Sequence, residues 1–352
     1  MNRSKLIGKI QTVLGTINPD ELGITLPHEH CFVDLSTLLQ LTDDKVSTKA
    51  MSQKPVCLET LWWIRCHWLE NIDNLKLDNE ELTVKEILRF KAEGGNSIVD
   101  VTSRGMRGNP EASLRISKAT GINIIMGAGY YTVESPIGAI LETKSEEELT
   151  EEIINDIFSG VDGVRSGIIG EVGADSSPLC NEELKLMQAA AEAQQATGAS
   201  INMHCGRSIE SYIQTLKSLD KFGADLSRVV LSHLDRHTYP LSSLAEIAKS
   251  GCYLEFDMFG KEGYYPRRYG VIEVPNDSER INRLIWLIEK GYLNQILISH
   301  DICMKMSLAS FGGLGYDHIL RNVVPLMRAK GLPEEVIHTI IVENPKRLLT
   351  FI

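Results

Sequence analysis

Paired cysteines, long apolar runs and net positive charge are all missing from this 352-residue chain. Its seven cysteines (Cys31, Cys57, Cys66, Cys180, Cys205, Cys252 and Cys303) are odd in number, scattered and without a Cys-x-x-Cys pair. Neither a disulfide framework nor a thiolate zinc site fits that pattern, and a reducing compartment does. No stretch approaches the roughly 18 apolar residues a membrane span requires, and the N-terminal residues lack the apolar core of an export signal. The chain therefore reads as soluble and cytoplasmic, with no membrane partner. A formal net charge of -11 opposes a nucleic-acid partner, because such binders present basic faces. A small-molecule substrate fits better. Repeats, low-complexity tracts and linkers are absent as well. The whole of 1–352 then reads as one domain, within the range of about 250 to more than 400 residues spanned by strand–helix barrels.

What is present is an alternation of short β-branched runs with longer amphipathic ones. The expected barrel strands are residues 24–30, 96–102, 122–128, 167–172, 199–204, 228–233, 252–258 and 295–299. Ser145 with Glu148 forms a capping box, Asn181 is placed as the cap of a helix through Ala196, and Gly121, Gly198, Gly223 and Gly291 follow helical runs. One helix between each pair of strands implies parallel pairing, and eight such units favour an α/β fold closed as a (β/α)8 TIM barrel over an open doubly wound sheet. Two segments fall outside the rhythm. Residues 5–23 read as an N-terminal β-hairpin, and residues 31–80 as a long insertion after the first barrel strand, placed over the barrel mouth. The insertion's Trp62, Trp63 and Trp68 read as ordinary core rather than as a lid.

Four apolar strands end on a residue able to bind a metal: Glu171, His204, His233 and Asp301. Near the start, His28 and His30 are separated by one residue, so on a strand both point to one face while Glu29 points away. Each of these has a plain structural alternative, such as a core histidine, a salt-bridged glutamate or a helix cap. Their shared position at equivalent strand ends outweighs those alternatives, because active sites of such barrels form at that rim. Imidazole and carboxylate ligands suit one or two divalent, zinc-like ions. Cys31 and Cys205 adjoin ligands but face the opposite way and read as packing residues.

The motifs Gln11–Gly15, Leu26–His30, Ile169–Gly173, Ser232–Arg236, Gly251–Asp257 and Glu343–Lys346 make the chain resemble the phosphotriesterase-related proteins of the amidohydrolase superfamily along nearly its whole length. The resemblance implies a centre of two divalent metal ions, zinc for preference, with His28, His30 and Asp301 on one, His204 and His233 on the other, and Glu171 bridging both. It departs from the phosphotriesterases proper, which carry a carbamylated lysine where this chain has Glu171. The implied chemistry is hydrolysis by a metal-bridging hydroxide, since coordination lowers the pKa of water from about 15.7 toward about 7, with Asp301 as the catalytic proton acceptor.

Substrate preference falls to the loops after the strands. Arg207 and Arg236 each follow a ligand histidine by three residues and suit an anionic substrate end, although surface or structural pairing of Arg236 with Asp235 or Asp257 fits equally well. Tyr130 and Tyr131 are candidates for the pocket wall, and Glu255 and Asp257 for support of the ligands from behind. Phosphotriesterase-related proteins are associated with hydrolysis of N-acyl amino acids, N-acetyltaurine in particular, and the resemblance carries that expectation here. The alternatives are an esterase or lactonase acting on ester bonds, a phosphotriesterase-like hydrolase, a metal-dependent nuclease, and a metal-stabilised binding protein without turnover. The resemblance also allows a homodimer.

Overall fold

The computed structural model describes residues 2–262 and 272–352. Among the described residues twelve strands run in chain order as β1 (Ile10–Thr12), β2 (Gly15–Ile17), β3 (Thr25–Glu29), β4 (Val33–Asp34), β5 (Lys76–Leu77), β6 (Ser97–Asp100), β7 (Asn123–Ala128), β8 (Ile168–Ala174), β9 (Ile201–Cys205), β10 (Val229–Leu231), β11 (Tyr253–Phe256) and β12 (Ile296–Ile298). Eight of them form one sheet in the order β12-β11-β10-β9-β8-β7-β6-β3, every pairing parallel. Helices return the chain between consecutive strands, so the sheet is buried on both faces, and runs such as Val229-Val230-Leu231 carry no polar alternation.

The sheet curls until β12 meets β3, and side chains bridge that seam. The His28 amide donates to Ser299 Oγ at 3.1 Å, and the Asp301 amide donates to the His28 carbonyl at 3.1 Å. Glu29 completes the closure. Its fully buried carboxylate accepts from Ser299 Oγ (2.8 Å) and from the amides of His300 (3.0 Å) and Ile302 (2.8 Å), and lies 2.7 Å from His300 Nδ1. The side chain that alternation turns away from the metal candidates therefore replaces a missing strand ladder.

Helix punctuation follows the sequence with one shift. Ser145 Oγ accepts from the Glu148 amide at 3.2 Å and Glu148 reaches back to the Ser145 amide at 2.8 Å, starting helix Glu146–Phe158. Leu149, Ile153 and Ile157 then form its buried stripe. Asn181 is not a cap: it is the first residue of helix Asn181–Thr197, and Cys180 holds the cap position while Glu183 accepts from its amide at 3.0 Å. Gly121 and Gly198 end their helices in the left-handed region, at φ 66° and 77°.

The N-terminal hairpin is shorter than the 5–23 expected: β1 and β2 pair antiparallel through residues 10–17, flanked by single turns at Arg3–Lys5 and Pro19–Glu21. Ile10 and Leu22 pack with Val99, Val101, Ile125 and Ile168 of the barrel strands and their ends. Within 31–80 the chain forms β4, helices Val46–Ser52 and Leu58–Ile64, and β5, which pairs antiparallel with β4. Trp63 is buried in a small cluster with Val56, Leu61 and Ile64, whereas Trp62 is 69% exposed and is not core. One residue turns a helix by about 100°, so the face that buries 60, 61, 63 and 64 leaves 58 and 62 outside. Among the described residues no helix is long and apolar enough to cross a membrane.

Glu29→Ala is expected to lower stability by about 3 kcal/mol or more, because at least two buried amides and a hydroxyl lose their acceptor. Scanning calorimetry reads this as a fall in Tm of several degrees. An unchanged Tm would remove Glu29 from the closure of the barrel.

Candidate metal centre

Glu171 reaches the middle of the barrel mouth because β8 departs from regular pairing between Ile169 and Val172. There the Glu171 amide donates to the Val101 carbonyl at 3.0 Å, beyond the adjacent strand β7, and Ser103 Oγ donates to the Glu171 carbonyl at 2.6 Å. This inward fold needs glycine on two strands. A Cβ on Gly127 would lie 1.8 Å from the Gly170 carbonyl oxygen, and one on Gly170 would lie 2.3 Å from that of Asn202.

Of three overlapping groups of potential ligands there, two hold the expected residues, His28, His30 and Asp301, and Glu171, His204 and His233, while the third joins His28 and His233 to Asp257. Glu171 Oε1 is 2.6 Å from His204 Nδ1, 2.8 Å from His233 Nε2 and 3.6 Å from His28 Nε2. Asp301 Oδ1 is 3.2 Å from His30 Nε2 and 3.9 Å from His28 Nε2. His233 and Asp301 lie past the ends of β10 and β12, the first of these strands stopping two residues short of the 228–233 expected, with left-handed backbone at φ 63° and 51°. At that φ the chain turns off the strand direction just where each side chain faces the mouth.

Three of the four imidazoles are oriented from behind. His28 Nδ1 is 2.8 Å from Glu255 Oε2, His233 Nδ1 is 2.8 Å from Asp257 Oδ1, and His30 Nδ1 is 2.9 Å from Thr102 Oγ1, which donates onward to Asp100. Fixing Nδ1 leaves Nε2 of each ring facing inward. Glu255 also accepts from Asn202 (2.9 Å) and Ser232 (2.8 Å), so its position is determined by three strands.

Buried carboxylates dominate the electrostatics. Burial alone would lower the His28 pKa, but Asp257, Glu255 and Glu171 outweigh it and hold His28 well above the usual imidazole range. Burial likewise opposes protonation of His233, yet Asp257 and Glu171 push it up to about 9. For His204 burial prevails, and its pKa falls to about 4. Glu171 is held well below the carboxylate range, His204 and His28 outweighing its burial. Glu171, Glu255, Asp257 and Asp301 thus share a core in which Lys261 is the nearest side-chain ammonium. His28 Nε2 is buried without a hydrogen-bond partner and faces two of those carboxylates. An orphaned imidazole nitrogen beside excess negative charge fits a divalent cation, and the nitrogen and oxygen donors match one chemically.

The centre lies at the base of a cavity of about 600 Å³. Tyr131 and Arg207 line it, the Tyr131 ring edge-on to His204 at 5.1 Å. Arg236 lines it too, but its guanidinium is buried and donates to the carbonyls of Cys205 and Gly206. Of the two acids considered for it, Asp235 accepts from Arg280 Nε at 2.7 Å and Asp257 serves His233. Tyr130 corrects the expectation from sequence. It does not line the cavity but is buried beneath Arg104 and Lys144, at 5.2 and 5.8 Å from its ring, because adjacent residues face opposite sides of the barrel wall. Cys31 and Cys205 are fully buried.

Lys261 was not legible as a site residue. It follows β11 in a loop without periodicity, and its Nζ is 2.6 Å from Asp301 Oδ2. Burial would lower the pKa of this lysine, but Asp301 raises it above the usual range, and Lys261 in turn helps to hold Asp301 ionised.

A model of the phosphotriesterase family matches residues 8–349. The chain is 40% identical to the N-acetyltaurine hydrolase of Homo sapiens and 39% identical to that of Dictyostelium discoideum, over 99% and 98% of this chain and 99% of each relative. Among solved structures it is similar to a resiniferatoxin-binding protein from Rhodobacter sphaeroides, at 34% identity and TM-score 0.93, covering 97% of this chain and 95% of that one. It is also similar to the phosphotriesterase homology protein from Escherichia coli, at 29% identity and TM-score 0.76, covering 94% and 99%.

Glu255→Ala is expected to weaken retention of divalent metal roughly 10- to 100-fold, since His28 loses the group that orients it. Competition with a chromogenic chelator measures this directly, and an unaltered affinity would show that His28 needs no such support.

Proposed function

This chain belongs to the phosphotriesterase family, and we propose that it is a zinc-dependent hydrolase that cleaves the amide bond of small anionic N-acyl amino acids, N-acetyltaurine foremost. The observation that carries the reading is the convergence of His28, His30, Glu171, His204, His233 and Asp301 at the base of one cavity that Arg207 also lines. The names of the curated relatives, which match along nearly the full length of the chain, support the choice of substrate.

In this reading His28, His30 and Asp301 would hold one ion and His204 and His233 a second, with Glu171 available to either. The ions, when bound, supply Lewis acidity to the scissile carbonyl and make water acidic enough to react at neutral pH. Glu171 would offer its own carboxylate to such ions, without a carbon dioxide adduct. Asp301 keeps Oδ1 toward the histidines and Oδ2 on Lys261, and its carboxylate is the acceptor for a proton of the attacking water. That proton passes to the nitrogen of the leaving amine as the carbon–nitrogen bond breaks, and the products are acetate and taurine. Lys261 holds Asp301 in place and ionised between turnovers. Arg207 receives the sulfonate, while Arg236, tied to two carbonyls, adds its charge to the same wall and braces the loop after β9.

A second reading, a binding protein without turnover, has one observation in its favour: the Rhodobacter sphaeroides structure is named for binding rather than hydrolysis.

Zinc-loaded protein is expected to hydrolyse N-acetyltaurine, with lactones, phosphotriesters and DNA turned over far more slowly. Glu171→Ala should lower kcat/KM about a thousandfold or more. Turnover surviving that substitution unchanged, or no turnover of any N-acyl amino acid, overturns the proposal. Arg207→Ala should raise KM about tenfold or more with little change in kcat, the signature of a lost charge-assisted contact to the substrate tail.

A further inference from the structure

The cavity above the metal candidates has two chemically different sides, and the order of strands around the barrel determines which is which. The loops after β7, β8, β9 and β10, four consecutive strands, contribute Thr132, Glu134, Asp175, Arg207 and Arg236. This side is polar and charged. The neighbouring stretch of the ring is β12, β3 and β6, with β12 and β3 joined across the seam. Its loops contribute Leu35, Leu38, Trp68, Leu69, Met106 and Met304. Met306 and the half-exposed Leu314 extend that wall outward, and Arg65, donating to the Gly312 carbonyl at 3.0 Å, marks its rim. The catalytic candidates lie at the base, between the two sides.

An acetyl group would leave the apolar side largely unused. A cavity of about 600 Å³ falls within the range of roughly 300–1,000 Å³ that takes drug-sized ligands. Four of the chain's ten methionines, Met106, Met258, Met304 and Met306, face it. Methionine is unbranched, polarisable and adaptable, and suits a surface that must accept chains of varying length. Much of the wall comes from the 31–80 insertion, whose Leu35 and Leu69 are buried while Leu38 and Trp68 are partly so. These side chains form a built lining rather than scattered surface residues.

We infer that the side of the cavity over β12, β3 and β6 is an acyl-chain subsite, and that this protein takes N-acyl substrates with acyl groups longer than acetyl, their anionic end toward Arg207. The inference rests on the amide-hydrolase reading and deepens it. The amide then lies over the metal candidates, with the acyl chain running beneath the insertion and the charged tail across the loops after β8 to β10. The insertion acts as a chain-length gauge: its leucines and Trp68 set how far the apolar side extends. No change in the bond cleaved is involved, only in the group released as the carboxylate product.

The test compares N-acetyl-, N-butyryl-, N-hexanoyl- and N-octanoyltaurine, both by turnover of the zinc-loaded protein and by calorimetric binding to the metal-free protein. From acetyl to hexanoyl, kcat/KM should rise about fourfold per methylene, equivalent to about 0.8 kcal/mol per methylene buried, and most of the change should appear in KM. Binding to the metal-free protein should tighten in the same order, a readout independent of catalysis. Leu38→Trp fills the subsite and should lower the hexanoyl-to-acetyl ratio of kcat/KM at least tenfold, and Met306→Trp farther out on the same wall should act in the same direction. If N-acetyltaurine is cleaved but both kcat/KM and binding decline from acetyl onward, the subsite is refuted and the hydrolase reading stands. If no member of the series is cleaved while binding still tightens with chain length, the subsite stands and the hydrolase reading falls.

Discussion

The constraint on which the rest of this structure depends is a surplus of buried negative charge. Glu171, Glu255, Asp257 and Asp301 are buried together at one end of a barrel with a large apolar core. Isolated carboxylates in such surroundings are very costly, so they persist only beside matching positive charge. Lys261 and the imidazoles of His28 and His233 supply part of it. The elevated pKa values of His28 and His233 express the remaining deficit: with nothing else present, protons are drawn into the site. Divalent cations held among the same nitrogens and oxygens would meet the demand without protonating the rings.

The fold is arranged around that demand from two directions. From below, hydrogen bonds orient the imidazoles, and those bonds run through residues of several strands at once, as with Glu255 between His28, Asn202 and Ser232. From the side, Glu29 closes the seam between the first and last strands of the barrel and so fixes His28 and His30 relative to Asp301. Closure of the barrel and assembly of the site are therefore one physical event. The inward fold of β8 at Gly170 belongs to the same pattern, since it brings Glu171 into reach of both ligand groups.

Much of this was legible in the sequence because it depends on local rules. Strand ends are marked by the switch from apolar runs to His, Glu or Asp, and a barrel brings equivalent ends together, so the six candidate ligands could be gathered without coordinates. What escaped depends on direction rather than identity. Tyr130 and Tyr131 are chemically alike and adjacent, yet one packs beneath Arg104 and Lys144 while the other borders the cavity. Lys261 lies in an irregular loop, and only the path of that loop brings its ammonium to Asp301. The partner of Asp235 is Arg280, which is 45 residues away in sequence and invisible to any local pattern.

The order of residues alone determined the alternation of strand and helix, the barrel it implies, and which side chains are chemically able to bind a metal, because periodicity and donor type are properties of short segments. Tertiary structure alone decided that Glu171 lies within hydrogen-bond distance of His204 and His233 and 3.6 Å from His28 Nε2, that Glu29 bridges the seam, and that the cavity has one charged and one apolar side. Those facts depend on distances between segments far apart in the chain, and such distances exist only once the sheet has curled and closed.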